Sequence, residues 1–156
     1  MPSSRSRGGA PVYYWDSCVF IHLLQGTKGQ ILDDLADMAR ERKIKLVTST
    51  ITETEVIKWP KAIEQDSSTD LEISKFFKNE WIIRRSVDPL VAAIARRLRS
   101  NHNLKLPDAV HVATAIYYQV DALHSFDRND LCKKSRKFLG RRRFLSKNMS
   151  SVDAEI

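Results

Sequence analysis

Short runs of strand-forming residues alternate along this chain with longer stretches whose apolar positions recur every three to four residues. Val12 to Trp15 is the first such run, and Asp16-Ser17 separates it from an apolar helical stretch, Val19 to Leu24, that ends near Gly26. Between Gly29 and Arg42, Ile31, Leu32, Leu35, Met38 and Ala39 form one stripe while Asp33, Asp34 and Asp37 lie off it, which predicts an amphipathic surface helix. Lys45 to Thr48 reads as a second strand and Ser49 to Lys58 as the helix after it, closed by Trp59-Pro60. The polar residues Glu64 to Asp70 predict a surface loop, followed by a helix over Leu71 to Asn79 and a strand over Trp81 to Arg84. Asp88 is placed to cap a helix that Pro89 opens and that runs through Arg99. Asn101 to Lys105 connects it to a mostly apolar helix from Pro107 to Gln119, and Ala122 to Phe126 reads as a further strand before a helix candidate at Arg128 to Phe138.

Strands alternating with helices predict an α/β fold, a three-layer α/β/α sandwich with a central, mainly parallel sheet. A chain of 156 residues fits one such domain with a real core. The expected organisation is a flexible basic tail over 1–10, the domain over 11–140 and a basic C-terminal extension over 141–156. The Ser/Arg/Gly-rich start has no apolar h-region and so does not read as a signal peptide, and no apolar run approaches the roughly 20 residues of a membrane span. No membrane association and a cytoplasmic location are therefore expected. Cys18 and Cys132 lie in no CxxC and near no His at ligand spacing, so a zinc site and a disulfide framework are not expected.

The formal charge of +7 favours a polyanionic partner, because Lys and Arg near phosphates release condensed counterions. Lys133, Lys134, Arg136, Lys137, Arg141, Arg142 and Arg143 crowd one segment near the C-terminus, although a solvated helix and tail would look the same.

The acidic residues add chemistry to this outline. In an open α/β sheet, ligands gather at the carboxyl ends of the strands, where the N-termini of the connecting helices also lie. Asp16 follows the first strand, Glu55 lies inside the helix after the second, Asp108 starts the helix that feeds the Ala122–Phe126 strand, and Asp127 follows that strand. Each also has a structural explanation. Asp16 and Asp127 can cap the helices after them, the latter with Asp130 in a capping box. Thr52-x-x-Glu55 resembles a capping box too, but Thr50-x-x-Glu53 competes for that role and would release Glu55, which points about 200° away from Glu53 on a helix. Asp108 opens a helix apolar on most of its circumference, and the helix dipole contributes only about 0.3–1 kcal/mol to an acid there. His111, one turn on, can share its face, with a structural role as the default for a lone histidine.

Taken together, Tyr14-Trp15-Asp16-Ser17, Thr48 to Val56, Leu106-Pro107-Asp108-Ala109-Val110-His111-Val112-Ala113-Thr114-Ala115 and Ser125-Phe126-Asp127-Arg128 resemble the PIN-domain nucleases, especially the VapC-like toxins of bacterial toxin–antitoxin pairs. The resemblance covers Val12 to roughly Leu131. It implies a FEN-like sandwich, Mg²⁺- or Mn²⁺-dependent phosphodiester cleavage and RNA as substrate. It also implies that Asp16, Glu55, Asp108 and Asp127 form the acidic quartet that binds the metal, with Ser125 assisting and Ser17 as a small polar neighbour of the first Asp. An antitoxin protein laying a hydrophobic helix beside the site, and a homodimer, are further expectations of the toxin reading. The longer basic N-terminal tail and the Arg/Lys-rich segment after Phe138 depart from the commonest toxin pattern.

Four converging carboxylates repel one another, which raises their pKa values until a divalent cation relieves the repulsion; hard oxygen donors suit Mg²⁺ or Mn²⁺. RNA then needs positive charge at the rim, for which Arg128, Lys133, Lys134, Arg141, Arg142 and Arg143 are the candidates. Tyr13, Tyr14, Trp59 and Trp81 offer stacking faces, although strand aromatics more often serve a core. A phosphoacceptor signalling domain, which shares the carboxylates at strand ends, would need an adjacent acidic pair where this chain has Asp16-Ser17. The closer rivals are a non-catalytic PIN-fold scaffold that binds RNA or protein and a stand-alone RNA- or DNA-processing PIN nuclease.

Overall fold

In the computed structural model, which describes residues 8–57, 67–126 and 143–145, strands and helices follow one another in the expected alternation. The elements are β1 (Val12–Trp15), α1 (Ser17–Gln25), α2 (Gln30–Arg40), β2 (Lys45–Ser49), α3 (Ile51–Glu55), α4 (Ser67–Phe77), β3 (Ile82–Arg85), α5 (Pro89–His102), α6 (Leu106–Tyr117), β4 (Ala122–His124) and β5 (Arg143–Leu145). The strands form one sheet in the order β3-β2-β1-β4-β5, and every pairing in it is parallel. β1 is therefore central, with Tyr14 in register with Val47 on one side and Leu123 on the other.

The pleat divides the core in two. Successive strand residues point to opposite faces. Tyr13, Trp15, Leu46, Ile82 and Ala122 pack on one side with Val19, Phe20, Leu32, Leu35 and Phe77 from α1, α2 and α4. Tyr14, Val47 and Leu123 pack on the other with Val91, Ala95 and Leu98 of α5 and Val110, Val112 and Ala113 of α6. This is the three-layer sandwich. β1 is buried along Tyr13, Tyr14 and Trp15 because both of its faces are covered, which is why it reads as a continuous apolar run and not as an alternation.

Local chemistry sets the helix ends. The Asp88 carboxylate accepts hydrogen bonds from the Leu90 and Val91 amides at 2.9 Å, and Pro89 follows it as expected. Gly26 closes α1 in the left-handed conformation, φ 65°, where a Cβ would be strained. α5 continues past Arg99 to His102 and is capped by Asn103 at φ 52°.

Several other boundaries also differ from expectation. Residues 67–70, read as loop, are the first turn of α4, because Ser, Thr and Asp favour helix starts and look like loop by composition. β2 extends through Ser49 because Thr48 and Ser49 pair with Arg84 and Arg85, and α3 is left with a single turn that ends at Glu55. β4 stops at His124, opposite Trp15, because β1 turns away at Asp16 and offers Ser125 and Phe126 no ladder. β5 lies within the stretch expected as a basic extension; three residues amid Arg and Lys carry no readable period, and only the register Ala122↔Arg143 to His124↔Leu145 makes them a strand. Trp59-Pro60 and the helix expected over 128–138 fall outside the described residues. Among the described residues no helix is long and apolar enough to cross a membrane.

Replacing Asp88 by Ala leaves two amides at the start of α5 without their acceptor. We expect a loss of about 1 kcal/mol in stability by urea unfolding; an unchanged midpoint would show that the cap contributes nothing.

Candidate active site

An all-parallel sheet brings the carboxyl ends of its strands to one edge, and Asp16 is the first residue beyond β1 there. It is both a cap and more than a cap. Oδ1 accepts from the Val19 amide at 3.2 Å, as expected for an N-cap of α1, while Oδ2 accepts from the Ser125 hydroxyl at 2.5 Å. Only the parallel pairing of β1 with β4 brings Ser125 to this carboxylate, 109 residues away in sequence. Asp16 is 3% exposed. Burial raises its pKa to about 6 against the favourable charge of His111 and the hydrogen bonds from Ser125 and Val19, and the negative charge of Glu55 raises it slightly further.

The β2–α3 turn is sewn to the same edge by hydroxyls. The Thr48 hydroxyl donates to the Trp15 carbonyl at 2.7 Å, and the Thr48 and Thr52 hydroxyls bond to each other at 2.7 Å. Neither capping box forms: Thr50 makes no side-chain cap bond, and Glu53 instead pairs with Arg84 at 3.0 Å. Glu53 and Glu55 thus face different partners, as helical geometry requires of residues two apart.

Glu55 turns to His111. Its Oε1 lies 2.6 Å from Nε2, and Nδ1 of the same ring lies 2.6 Å from the Tyr14 hydroxyl, whose oxygen also accepts from the Ser49 amide at 3.2 Å. Burial pushes the Tyr14 pKa far above its ordinary value, so the phenol keeps its proton. The ring is thus held between the Tyr14 hydroxyl at Nδ1 and the Glu55 carboxylate at Nε2, and because a carboxylate oxygen accepts, Nε2–H donates to Glu55. Tyr14 and Tyr13 are therefore buried core residues and not stacking platforms, while Trp81 is half-buried beneath the Arg40 guanidinium.

Asp108 sits in the first turn of α6, half-buried, one turn before His111, and Ala109 to Ala115 behind it are all buried as the sequence predicts. Asp127, Arg128, Lys133, Lys134, Arg141 and Arg142 lie outside the described residues, and Arg143 opens the edge strand β5. Among the described residues no three Asp, Glu, His or Cys side chains stand close enough to hold an ion by themselves. The donors that do gather, Asp16, Glu55 and the Ser125 hydroxyl, are hard oxygens around a buried carboxylate short of positive charge, and this chemistry fits a divalent cation.

The sequence suggests a structural role for His111 and a stacking or core role for Tyr14, and neither reading joins them to Glu55. The only signal was spacing: His111 is one helical turn from Asp108, and Tyr14 points to the face that α6 covers. A third buried polar group, His124, accepts from the Trp15 indole N–H at 2.9 Å, and burial pushes its pKa down to about 3.

This chain belongs to the PIN domain family, whose profile matches residues 13–137. No curated protein matches it. Its fold is similar to that of a toxin–antitoxin complex from Klebsiella pneumoniae, with a TM-score of 0.57 at 21% identity over 86% of this chain and 96% of that one. It is also similar to VapBC2 from Rickettsia felis bound to a promoter DNA fragment, with a TM-score of 0.62 at 10% identity over 88% and 99% of the two chains. A third is VapC20 from Mycobacterium tuberculosis, a sarcin–ricin loop cleaving toxin, with a TM-score of 0.58 at 11% identity over 75% and 91%.

The two shifted groups make opposite contributions to stability. Asp16, with its folded pKa raised to about 6 from 3.8, stabilises the fold fully below pH 3.8 and loses that contribution as pH rises through 6. His124, with its folded pKa lowered to about 3 from 6.5, contributes in the reverse sense, and stability falls as pH drops below 6.5. Between pH 4 and 6 the two slopes oppose each other. In EDTA, Asp16→Asn is expected to be more stable than the parent by roughly 3 kcal/mol at pH 7, and this advantage should vanish towards pH 4. Urea unfolding across that range measures it, and a pH-independent difference would contradict the raised pKa.

Proposed function

We propose that this chain is a metal-dependent endoribonuclease and the toxin of a toxin–antitoxin pair. The observation that carries the reading is Asp16: a carboxylate buried at the end of the central strand, beside Glu55, with its pKa held up to about 6. A fold gains no stability from charging such a group, which is the mark of a functional carboxylate. The PIN family match and the likeness of the fold to toxin chains support the same reading.

In this proposal Asp16, Asp108 and Asp127 hold Mg²⁺ or Mn²⁺, and Glu55 orients the attacking water or helps hold a second ion. The Ser125 hydroxyl keeps Asp16 Oδ2 aimed by donating to it. The cation would lower the pKa of water and neutralise charge on the phosphate oxygens. Arg128, Lys133, Lys134 and the Arg141–Arg143 run supply the positive rim that lets a polyanion approach acidic groups. The partner is an antitoxin protein, by likeness to the Klebsiella pneumoniae complex, which this fold matches over 96% of that chain. A homodimer and a cytoplasmic setting remain part of the proposal.

The test is cleavage of labelled single-stranded RNA by the purified protein with Mn²⁺, Mg²⁺ or EDTA. Asp108→Asn and Asp16→Asn should each lower the rate by roughly a hundredfold or more, beyond the usual effect of groups that only support metal ligands. Because Asp16 must ionise to bind a cation, metal affinity should fall as pH drops below about 6. Cleavage that survives EDTA, or that survives in the double variant, overturns the reading.

A further inference from the structure

Glu55 occupies an insecure position for a residue that must hold its direction. It is the last residue of a one-turn helix, and helices this short have no stability of their own. The backbone leaves helical geometry immediately after it, at Val56 with ψ 89°. The side chain is 29% exposed and has three rotatable bonds, so nothing local to α3 selects one rotamer.

The neighbouring helix supplies what α3 lacks. We infer that His111 is a positioning residue for Glu55: the Ser49 amide, the Tyr14 hydroxyl and the His111 ring form a buried relay that sets the direction of the Glu55 carboxylate. The inference rests on the reading of Glu55 as part of the nuclease site. Its links are the Ser49 amide to the Tyr14 oxygen at 3.2 Å, Tyr14 to Nδ1 at 2.6 Å and Nε2 to Glu55 Oε1 at 2.6 Å. The ring is 2% exposed and clamped edge-on by Tyr14 at 5.8 Å between centroids, within the closely packed α6. It cannot turn to follow solvent.

The direction of the relay matters. An imidazole without the phenol could present either a donor or a bare nitrogen to the carboxylate, and the second would repel it. The Glu55 carboxylate 2.6 Å from Nε2 takes the donor, and the Tyr14 hydroxyl 2.6 Å from Nδ1 holds the ring in the orientation that keeps Nε2–H on Oε1. The relay engages one oxygen and leaves Oε2 as the oxygen that can serve a cation or a water. Partners of this kind commonly change metal affinity or activity by 10- to 100-fold when removed.

The experiment uses the full chain and three readouts: Mn²⁺ affinity by calorimetry, kcat and KM on single-stranded RNA, and long-range ¹H–¹⁵N spectra of the imidazoles. His111→Asn can still accept from Tyr14 but does not reach Glu55. It is expected to weaken Mn²⁺ binding and to lower kcat by about 10- to 100-fold with little change in KM for RNA. His111→Gln, one methylene longer, should recover part of both. The double variant His111→Asn/Glu55→Gln should be no worse than Glu55→Gln alone, since His111 acts only through that carboxylate. Additive losses, or His111→Asn at parental values, overturn the inference while leaving the nuclease reading intact. If the parent neither cleaves RNA nor binds Mn²⁺, the nuclease reading has failed, and the spectra decide the relay. A His111 Nε2–H resonance that shifts in Glu55→Gln and in Tyr14→Phe supports it, and one that ignores both overturns it. Should His111→Asn fail to fold, His111→Gln and Tyr14→Phe carry the same comparison.

Discussion

Asp16 is a carboxylate held at the end of a strand that is buried on both faces, and the local architecture answers to that constraint. A buried carboxylate without partners is destabilising by several kcal/mol. Here the surroundings supply the α1 amide of Val19, the Ser125 hydroxyl from the neighbouring strand and the nearby His111 ring, and still the pKa stands near 6. Three separate segments must converge to achieve even this: the start of α1, the end of β4 and the middle of α6. The parallel sheet accomplishes it because its strands all finish on one edge.

The same edge shows how polar groups are kept in a core without loss of order. The Ser49 amide, Tyr14, His111 and Glu55 form one chain of hydrogen bonds, and Trp15, Thr48 and Thr52 form another. Each net hydrogen bond contributes only about 1 kcal/mol, but leaving one of these buried groups unpaired would cost about 1–3 kcal/mol. The networks therefore act mainly by forbidding alternatives. They hold α3, which is too short to hold itself, against β1 and α6.

Much of this was legible in the sequence. Local residue types were enough for β1, whose VYYW run of β-forming residues reads as a strand, and for α5, where Asp88-Pro89 announces both cap and first turn. The position of Asp16 at the end of β1 was visible in the sequence, because a βα order dictates which edge a residue after a strand reaches. Less legible were the segments where polarity is ambiguous. Ser67 to Asp70 read as loop because the residues that start helices are also those that fill loops, and Arg143–Leu145 had no pattern to betray a strand.

By itself, then, the sequence determined the alternation of elements, the burial of α6 and the place of Asp16 at the end of the first strand, because periodicity and end signals are local properties of the chain. Only the tertiary structure decided which groups meet there. That Ser125 bonds Asp16, that Glu53 goes to Arg84 while Glu55 goes to His111, and that Tyr14 bonds the far side of that ring all depend on register between strands and on packing between α3 and α6. Contacts between residues 31 to 109 positions apart leave no periodic trace in the chain, since each follows from where the sheet happens to bring two side chains together.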